Sequence, residues 1–339
     1  MVIKMIDWVT MTARCTHDPE KLSSGRVFSM LPDGHIDWHV DKALTVEGSH
    51  SSNIQIKSID DGLIWISGNP AKFLQGHNIF GTDDLSYLVG RFFDALLKID
   101  SLGLSPTADE YQNIQEGLYT LTRVDINQSW HLKDKASVLS WIRSAAQCAH
   151  LKRRGAGQFT SDTLYFGKHS RRWAVKCYSK GHELTAKGHK LAPNLQIPEL
   201  LEWADKSLRI EMVIRSMALK ELHLDTAKVW TKDTSKMLLC SHVLSNLELS
   251  DNMPIPDDVL NSLPMRLKGF YALWLSGEDL RAQMTKATFY RYRTAFLPYG
   301  IDIGLVQESS KSNVVPLVRY LEAIPASIPD WAYEKGLVA

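Results

Sequence analysis

Three stretches of this chain carry an acid, a tyrosine or a lysine where a β-strand should be apolar. Arg123-Val124-Asp125 lies in strand-like 117–127, Tyr178-Ser179-Lys180-Gly181-His182-Glu183 closes strand-like 173–178, and Arg209-Ile210-Glu211 lies in strand-like 208–214. Residues two apart on a strand share a face, which groups Arg123 with Asp125, Tyr178 with Lys180, and Arg209 with Glu211. Buried singly, such groups cost several kcal/mol each. The economical arrangement puts all three segments in one sheet with their polar faces converging. Asp125, Glu183 and Glu211 would then offer hard oxygen donors suited to Mg²⁺ or Mn²⁺. The chemistry such a site supports is phosphoryl transfer. A carboxylate-held cation offsets charge on a scissile phosphate, and a tyrosine oxygen becomes a nucleophile once its proton is removed or a cation lies near, a role Lys180 can share. For either Arg–acid pair taken alone, an ordinary salt bridge on a solvated sheet face is the competing reading.

The elements that must position these groups follow from periodicity. Residues 2–14 read as a strand, with shorter strand-like pieces at Arg26–Met30, Asn53–Ile56, Leu63–Ile66, Thr163–Gly167 and Trp173–Tyr178. Leu85, Leu88, Phe92, Leu96 and Leu97 share one face of a helix over Asp83 to Ile99, a second helix covers Asp134 to His150, and a third covers 197–206. Beyond residue 215 the pattern is mostly helical up to Pro298, and 313–331, with three prolines, reads as extended along the surface. The expected class is α+β, a mainly antiparallel central sheet flanked by helices, followed by a helical C-terminal domain. The expected division is 1–115 and 116–225 as two parts of the core, the second catalytic, then 226–312 as a helical DNA-binding domain and 313–339 as a tail.

With 339 residues and a net charge of +1, whole-chain charge points to no particular partner. Cys15, Cys148, Cys177 and Cys240 form no CxxC pair, and free thiols in a reducing compartment are expected. Lys4, Asp7 and Arg14 interrupt any signal-peptide core. No run approaches the roughly 18 apolar residues of a membrane span, so a cytosolic protein is expected.

At these residues the chain resembles the replication initiators of filamentous bacteriophages, the gene II protein family. Pro70-Ala71-Lys72-Phe73-Leu74-Gln75-Gly76-His77-Asn78-Ile79-Phe80-Gly81 resembles that family's PAKxLQGHNxFG block, and Arg123-Val124-Asp125 its R-I-D strand. Tyr178 through Glu183 fits its Y-x-K-x-x-E signature, and Leu208 to Arg215 its R-x-E-x-x-x-(R/K) strand. Asn313 to Tyr320 followed by Pro329-Asp330-Trp331 resembles its C-terminal NVVPLVR…PDW block. The segment from Thr163 to Tyr178 also resembles the rolling-circle initiators of Gram-positive plasmids, whose tyrosine attacks the origin phosphate.

The resemblance implies a rolling-circle initiator that nicks a double-stranded origin and rejoins the strand afterwards. Tyr178 would be the nucleophile forming a 5′-phosphotyrosine and Lys180 its electrostatic helper, with Asp125, Glu183 and Glu211 as metal ligands. It further implies a host helicase, polymerase and single-strand binding protein as partners, and the cytoplasm of a bacterial host as the place of action. A homodimer is expected, because two cleavages per cycle meet one well-supported nucleophile. The chain departs from many rolling-circle initiators in one respect: no two of its twelve histidines are two residues apart, so the expected metal site is carboxylate-based. Asp7 is a reserve ligand, more simply a structural strand aspartate. The Gln75-Gly76-His77-Asn78 block receives no chemical role beyond fixing a loop. The alternative readings are a non-enzymatic origin-binding regulator, against which the intact Tyr178, Lys180 and Glu183 argue, and a mobilisation relaxase.

Two regions are candidates for DNA contact. From Lys152 to Lys190 ten Lys or Arg face only two acids, Asp162 and Glu183, an excess that suits a phosphate backbone. Within and around it Arg123, Arg153, Arg154, Lys168, Arg171, Arg172, Lys176 and Arg209 are the expected contacts. At 267–298, a helix over Leu267–Gly277, a short one over Glu278–Gln283 and a third opening at Thr285 resemble a helix-turn-helix. Lys286, Thr288, Tyr290 and Arg291 would face DNA, Thr288, Tyr290 and Arg291 reaching base edges and Arg293 a phosphate; an ordinary helical hairpin is the plain alternative. Tyr290 and Tyr292 are rival nucleophiles that lack nearby acids.

Overall fold

A computed structural model describes residues 4–48, 52–186, 188–249, 263–275, 278–299, 301–304 and 325–338. Ten strands build one sheet: β1 (Lys4–Arg14), β2 (Ser23–Met30), β3 (Ile36–Glu47), β4 (Asn53–Asp60), β5 (Leu63–Gly68) and β6 (Thr120–His131) from the first part of the chain, then β9 (Gln158–Thr160), β10 (Thr163–Phe166), β11 (Trp173–Ser179) and β12 (Ser207–Arg215). Their order is β2-β3-β4-β5-β1-β6-β12-β11-β10-β9, and every neighbouring pair is antiparallel. Short strands β7 (Ala149–Leu151), β8 (Gly155–Ala156) and β13 (Leu247–Leu249) form a second, three-stranded sheet. The α+β class read from periodicity is the class observed. The division expected at residue 115 falls within one sheet, since β1 and β6 are adjacent in it.

The helices that flank the sheet are α1 (Pro70–Gln75), α2 (Leu85–Leu97), α3 (Ala108–Gln115), α4 (Lys135–Cys148), α5 (Lys180–Glu183), α6 (Pro198–Asp205), α7 (Ser216–Glu221) and α8 (Thr234–Leu239). Of the stripe read from the sequence, helix α2 buries Leu85, Leu88, Phe92 and Leu96 and leaves Leu97 half-buried, and Asp84 caps its N-terminus by accepting from Tyr87 N–H.

The register sorts side chains by chemistry. Val124 and Ile126 of β6 pair with Ile214 and Met212 of β12, and Met212 and Ile210 in turn with Val175 and Cys177 of β11. These residues share one face and are all buried. Helices α4, α7 and α8 cover that face. The alternate residues carry the polar set on the opposite face, as period-2 alternation requires.

A second, smaller core lies at one end of the polar face. Phe80, Leu200 and Trp203 of α6, and Ala332 are buried together there. The tail residues 325–338 belong to this core. Expected to be extended, Asp330–Glu334 is a short helix instead, because Trp331 and Ala332 find an apolar seat beside Phe80, with the Trp331 and Phe80 rings 5.8 Å apart. The Asn313–Tyr320 part of the C-terminal block lies outside the described residues.

The described residues between 263 and 304 form a helical unit around Leu267, Tyr271, Trp274, Phe289 and Phe296. It contains helices Met265–Leu275 and Lys286–Phe296, the latter capped by Thr285. The short helix expected at Glu278–Gln283 is a turn, because the Asp279 carboxylate accepts from Arg281 N–H and gives the backbone a non-helical partner. Arg143 of α4 joins this unit to the sheet. Its Nη1 lies 2.7 Å from Asp302 and its Nη2 donates to Asp162 at 3.1 Å. Replacing Arg143 with Met should loosen that seam by about 1.5–3 kcal/mol, the usual contribution of hydrogen bonds to charged groups. Calorimetry should then resolve separate transitions for sheet and helical unit; one unshifted transition would contradict the role given to Arg143. Among the described residues no helix is long and apolar enough to cross a membrane.

Candidate active site

The polar face is where the three charged segments meet. Across the sheet Lys176 of β11 pairs with Glu211 of β12, which pairs with Asn127 of β6; Tyr178 pairs with Arg209, and Arg209 with Ser129. Asp125 shares this face, two residues before Asn127. The convergence expected from alternation is therefore present for Asp125, Tyr178 and Glu211, all of them buried.

Tyr178 is the centre of the arrangement. Its hydroxyl donates to Glu211 Oε2 at 3.1 Å, while Lys176 Nζ holds the other carboxylate oxygen of Glu211 at 2.5 Å. Burial, with Glu183 and Glu211 nearby, raises the phenol well above its ordinary pKa. The phenol is thus protonated at any working pH and loses its proton only to a neighbour that can take it. Burial opposes ionisation of Glu211, but Lys176 and Asp125 together outweigh burial and hold that carboxyl below its usual range, ready to accept. Lys176 in turn is raised: burial works against its charge, and Glu211 and Asp125 overcome burial.

Lys180 is not on the strand with Tyr178. Ser179 ends β11 by capping the short helix α5, its hydroxyl accepting from His182 N–H. The i, i+2 rule therefore stops one residue before Lys180, which turns away to donate to Glu183 at 2.5 Å and Asn78 at 2.6 Å. Glycine is required at 181 by close packing: a Cβ there would lie 2.6 Å from Asp205 Cα. Lys180 and His189 hold Glu183 low against the opposing effect of burial.

The Gln75–Asn78 block gains a role here. Helix α1 ends at Gly76 in the left-handed region, φ 82°, which releases the chain toward the site. Asn78 then donates to Asp7 at 2.7 Å while accepting from Lys180, and Asn69 also donates to Asp7. Asp7 reaches this position because β1 carries a bulge between Ile6 and Trp8. Burial, then Glu211, raises the Asp7 carboxyl above its ordinary pKa.

Arg209 is a correction. Expected to touch DNA, it is fully enclosed and donates to Ser129 Oγ, Asn78 O and Ile79 O. A buried guanidinium with three protein acceptors fixes the loop and has no surface to offer a phosphate. An Arg209→Met protein should lose about 3 kcal/mol or more in urea unfolding, from several acceptors left unsatisfied. The salt dependence of its DNA binding should match the wild type; a shallower slope would mark Arg209 as a phosphate contact after all.

The expected carboxylate cage does not assemble as read. Among the described residues no three of His, Cys, Asp and Glu group closely enough to hold an ion. Glu183 is tied to Lys180, and Glu211 to Lys176 and Tyr178. Asp125 lies in a fork with Arg123, at 2.7 and 2.6 Å. Burial pushes Asp125 up to about 7, the Arg123 fork pulling it down and Glu211 pushing it further up. A smaller oxygen set does fit a hard cation. Asn127 is fully buried on the same face, and among the described residues neither polar atom of its side chain has a hydrogen-bond partner. Mg²⁺ commonly takes only one or two carboxylates and completes its shell with substrate phosphates, so Asp125, each of whose oxygens keeps a second lone pair beside the Arg123 fork, and Asn127 suit it without a third acid.

Two chambers open over this face. One, about 440 Å³, is lined by Tyr178, Tyr165, Asp162 and His182; the other, about 380 Å³, by Asp7, Trp8, Arg123 and Asp125; Lys176, Glu183, His189 and Glu211 border both. The other expected DNA contacts lie further off. Lys168, Arg171 and Arg172 sit at the far end of the β10–β11 hairpin, roughly 20 Å from Tyr178 by strand rise. There Arg172 pairs with Glu221, and Lys168 lies over the Tyr165 ring. Arg153 is exposed between β7 and β8, and Arg154 stacks on Trp173. In the helical unit Lys286, Tyr290 and Arg291 are exposed and Thr288 half-buried, while Arg293 is held in a fork by Asp302.

Comparison with known proteins decides the family. Residues 5–233 match the N-terminal family of the phage replication-associated gene II protein, and 259–338 match the C-terminal family of the same protein. The chain belongs to the gene II replication-associated protein family. The replication-associated gene II protein of Enterobacteria phage I2-2 is 37% identical over 334 residues, covering 96% of this chain and 95% of that protein. Its counterpart in Enterobacteria phage fd is 25% identical over 370 residues, covering 89% and 88%. A solved rolling circle replication initiator protein from Geobacillus stearothermophilus aligns with 80% of this chain and 97% of its own, at 12% identity and a TM-score of 0.34. The resemblance to filamentous-phage initiators read from the sequence motifs is thereby borne out.

Proposed function

We propose that this gene II-family chain initiates rolling-circle DNA replication by nicking one strand of a double-stranded origin with Tyr178. The observation that carries this reading is the hydrogen bond from the Tyr178 hydroxyl to Glu211 inside a cleft that Lys176 also lines. As the phenol oxygen attacks phosphorus, its proton passes to Glu211. The P–O3′ bond breaks, the 3′ oxygen takes up a proton and leaves as a hydroxyl, and the 5′-phosphate remains on Tyr178. The same steps reversed rejoin the strand without ATP. Lys176 keeps Glu211 ionised and ready, and Lys180 fixes the Asn78 loop and Glu183 around the cleft. Asp125 and Asn127, together with a DNA phosphate, would hold Mg²⁺ or Mn²⁺, which when bound neutralises charge on the phosphate oxygens.

The exposed Lys286, Tyr290 and Arg291 suit contact with duplex origin DNA, and Lys168 with Tyr165 suits a strand leading into the cleft. The free 3′ end would serve a host polymerase, aided by host helicase and single-strand binding protein, in the bacterial cytoplasm. Two copies of the chain would supply the two tyrosines that two cleavages need. The test is incubation of supercoiled origin plasmid with the protein and Mg²⁺ or Mn²⁺. A relaxed circle with protein attached is expected. Binding without change of topology would instead make the chain a non-enzymatic origin-binding protein.

A further inference from the structure

We infer that the second chamber, over β1 and β6, is a subsite for an unpaired nucleobase of the strand being cut. The inference rests on the nicking reading for its context, and it begins from Trp8. The indole N–H of Trp8 bonds to Thr10 Oγ1 at 3.3 Å and Ser67 Oγ at 3.1 Å, which fixes the ring in the sheet face and leaves it half-buried. The Arg123 guanidinium lies 5.2 Å from the ring centroid, and its own plane is set by the two-point fork on Asp125. An indole with a guanidinium laid over it, each held by its own hydrogen bonds, forms a rigid stack that a single-stranded base can extend, since bases stack on guanidinium planes as they do on aromatic rings.

The surroundings select among ligands. The chamber of about 380 Å³ also presents the Asn53 carboxamide and the Lys72 ammonium. An amide reads a base edge and a cation meets a backbone phosphate, so this lining suits a nucleotide better than an apolar ligand. The position fits as well. Trp8 on β1 and Tyr178 on β11 are three strand spacings and four residues of register apart, roughly 20 Å. A strand whose phosphate meets Tyr178 would pass the Lys176–Glu211 border and lay a base a few nucleotides further along on Trp8.

The test uses full-length protein carrying Tyr178→Phe, so that cleavage plays no part. A 15-nucleotide single strand and a fully abasic strand of equal length are compared by fluorescence anisotropy. Adding Trp8→Ala should weaken binding of the normal strand about tenfold, in the range known for one stacked base, and leave the abasic strand within twofold. Trp8→Phe should keep most of the preference for the normal strand. Equal losses on both strands would mark Trp8 as purely structural and overturn the subsite. Should Trp8→Ala fail to fold, photocrosslinking a 5-iodouracil strand to the Tyr178→Phe protein decides the matter. Attachment to Trp8 supports the subsite, and attachment only elsewhere overturns it. Because binding is read apart from cutting, a Trp8 preference in a protein that never nicks would sink the nuclease reading and spare the subsite, while efficient nicking without that preference would do the reverse.

Discussion

A Tyr178→Phe protein is expected to fold, to bind single-stranded DNA and to form no covalent complex with it. The substitution removes one oxygen. Glu211 keeps its ion pair with Lys176, so the buried acid is not stranded, and the aromatic ring still fills its place. What disappears is the atom that would bond to phosphorus. Loss of a nucleophile in an enzyme that works through a covalent intermediate typically removes three to six orders of magnitude of rate, about 10³–10⁶. Nicking of supercoiled origin DNA and gel-shifted protein–DNA adduct should both fall below detection. Tyr290→Phe and Tyr292→Phe proteins should still form the adduct, since among the described residues neither has an acid arranged as Glu211 is: Tyr292 packs against Phe270 at 4.4 Å and Tyr290 is exposed.

The second large effect belongs to Glu211. With glutamine there, Tyr178 keeps a hydrogen-bond acceptor but loses a base, and nicking should slow by roughly 10²–10⁴, the usual contribution of a positioned proton acceptor. The dependence on pH separates this role from a structural one. In the wild type the phenol is protonated throughout and Glu211, held below its usual range, is ionised throughout, so once Asp125, at about 7, has ionised to take the metal, the single-turnover rate should be flat from about pH 8 to 9. In Glu211→Gln hydroxide must replace the missing base, and the residual rate should climb about tenfold per pH unit. A slowed but flat profile in that variant would assign Glu211 to positioning alone.

What could be read from the sequence was set mostly by local periodicity. Alternation in β6, β11 and β12 correctly put Asp125, Tyr178 and Glu211 on one side, because each still lies within its strand, Tyr178 one residue before the end of β11. The same rule failed at Lys180, one residue past the end of β11, where the Ser179 cap turns the chain into a helix. Applied in the other direction it would have found Lys176, two residues before Tyr178 and on its face, which was counted only among phosphate contacts. Asp7 required a bulge in β1, and Asn78 required a loop joined to Lys180 from 102 residues away; neither leaves a periodic mark. Arg209 looked like a surface cation because burial of a guanidinium depends on three distant acceptors. The β2–β3 ribbon was half seen, since its second strand interleaves Asp37 and Asp41 with exposed Ile36, Trp38 and Val40 and so shows no buried face.

The most direct measurement is the identity of the residue that carries DNA. Origin DNA cut by the wild-type protein can be trapped by denaturation, digested to the attached nucleotide, and the tryptic peptides sequenced by mass spectrometry. The nucleotide should be found on Tyr178, in the peptide Cys177-Tyr178-Ser179-Lys180. A nucleotide on Tyr290 or Tyr292, or relaxed product with no attached peptide at all, would contradict the proposed site.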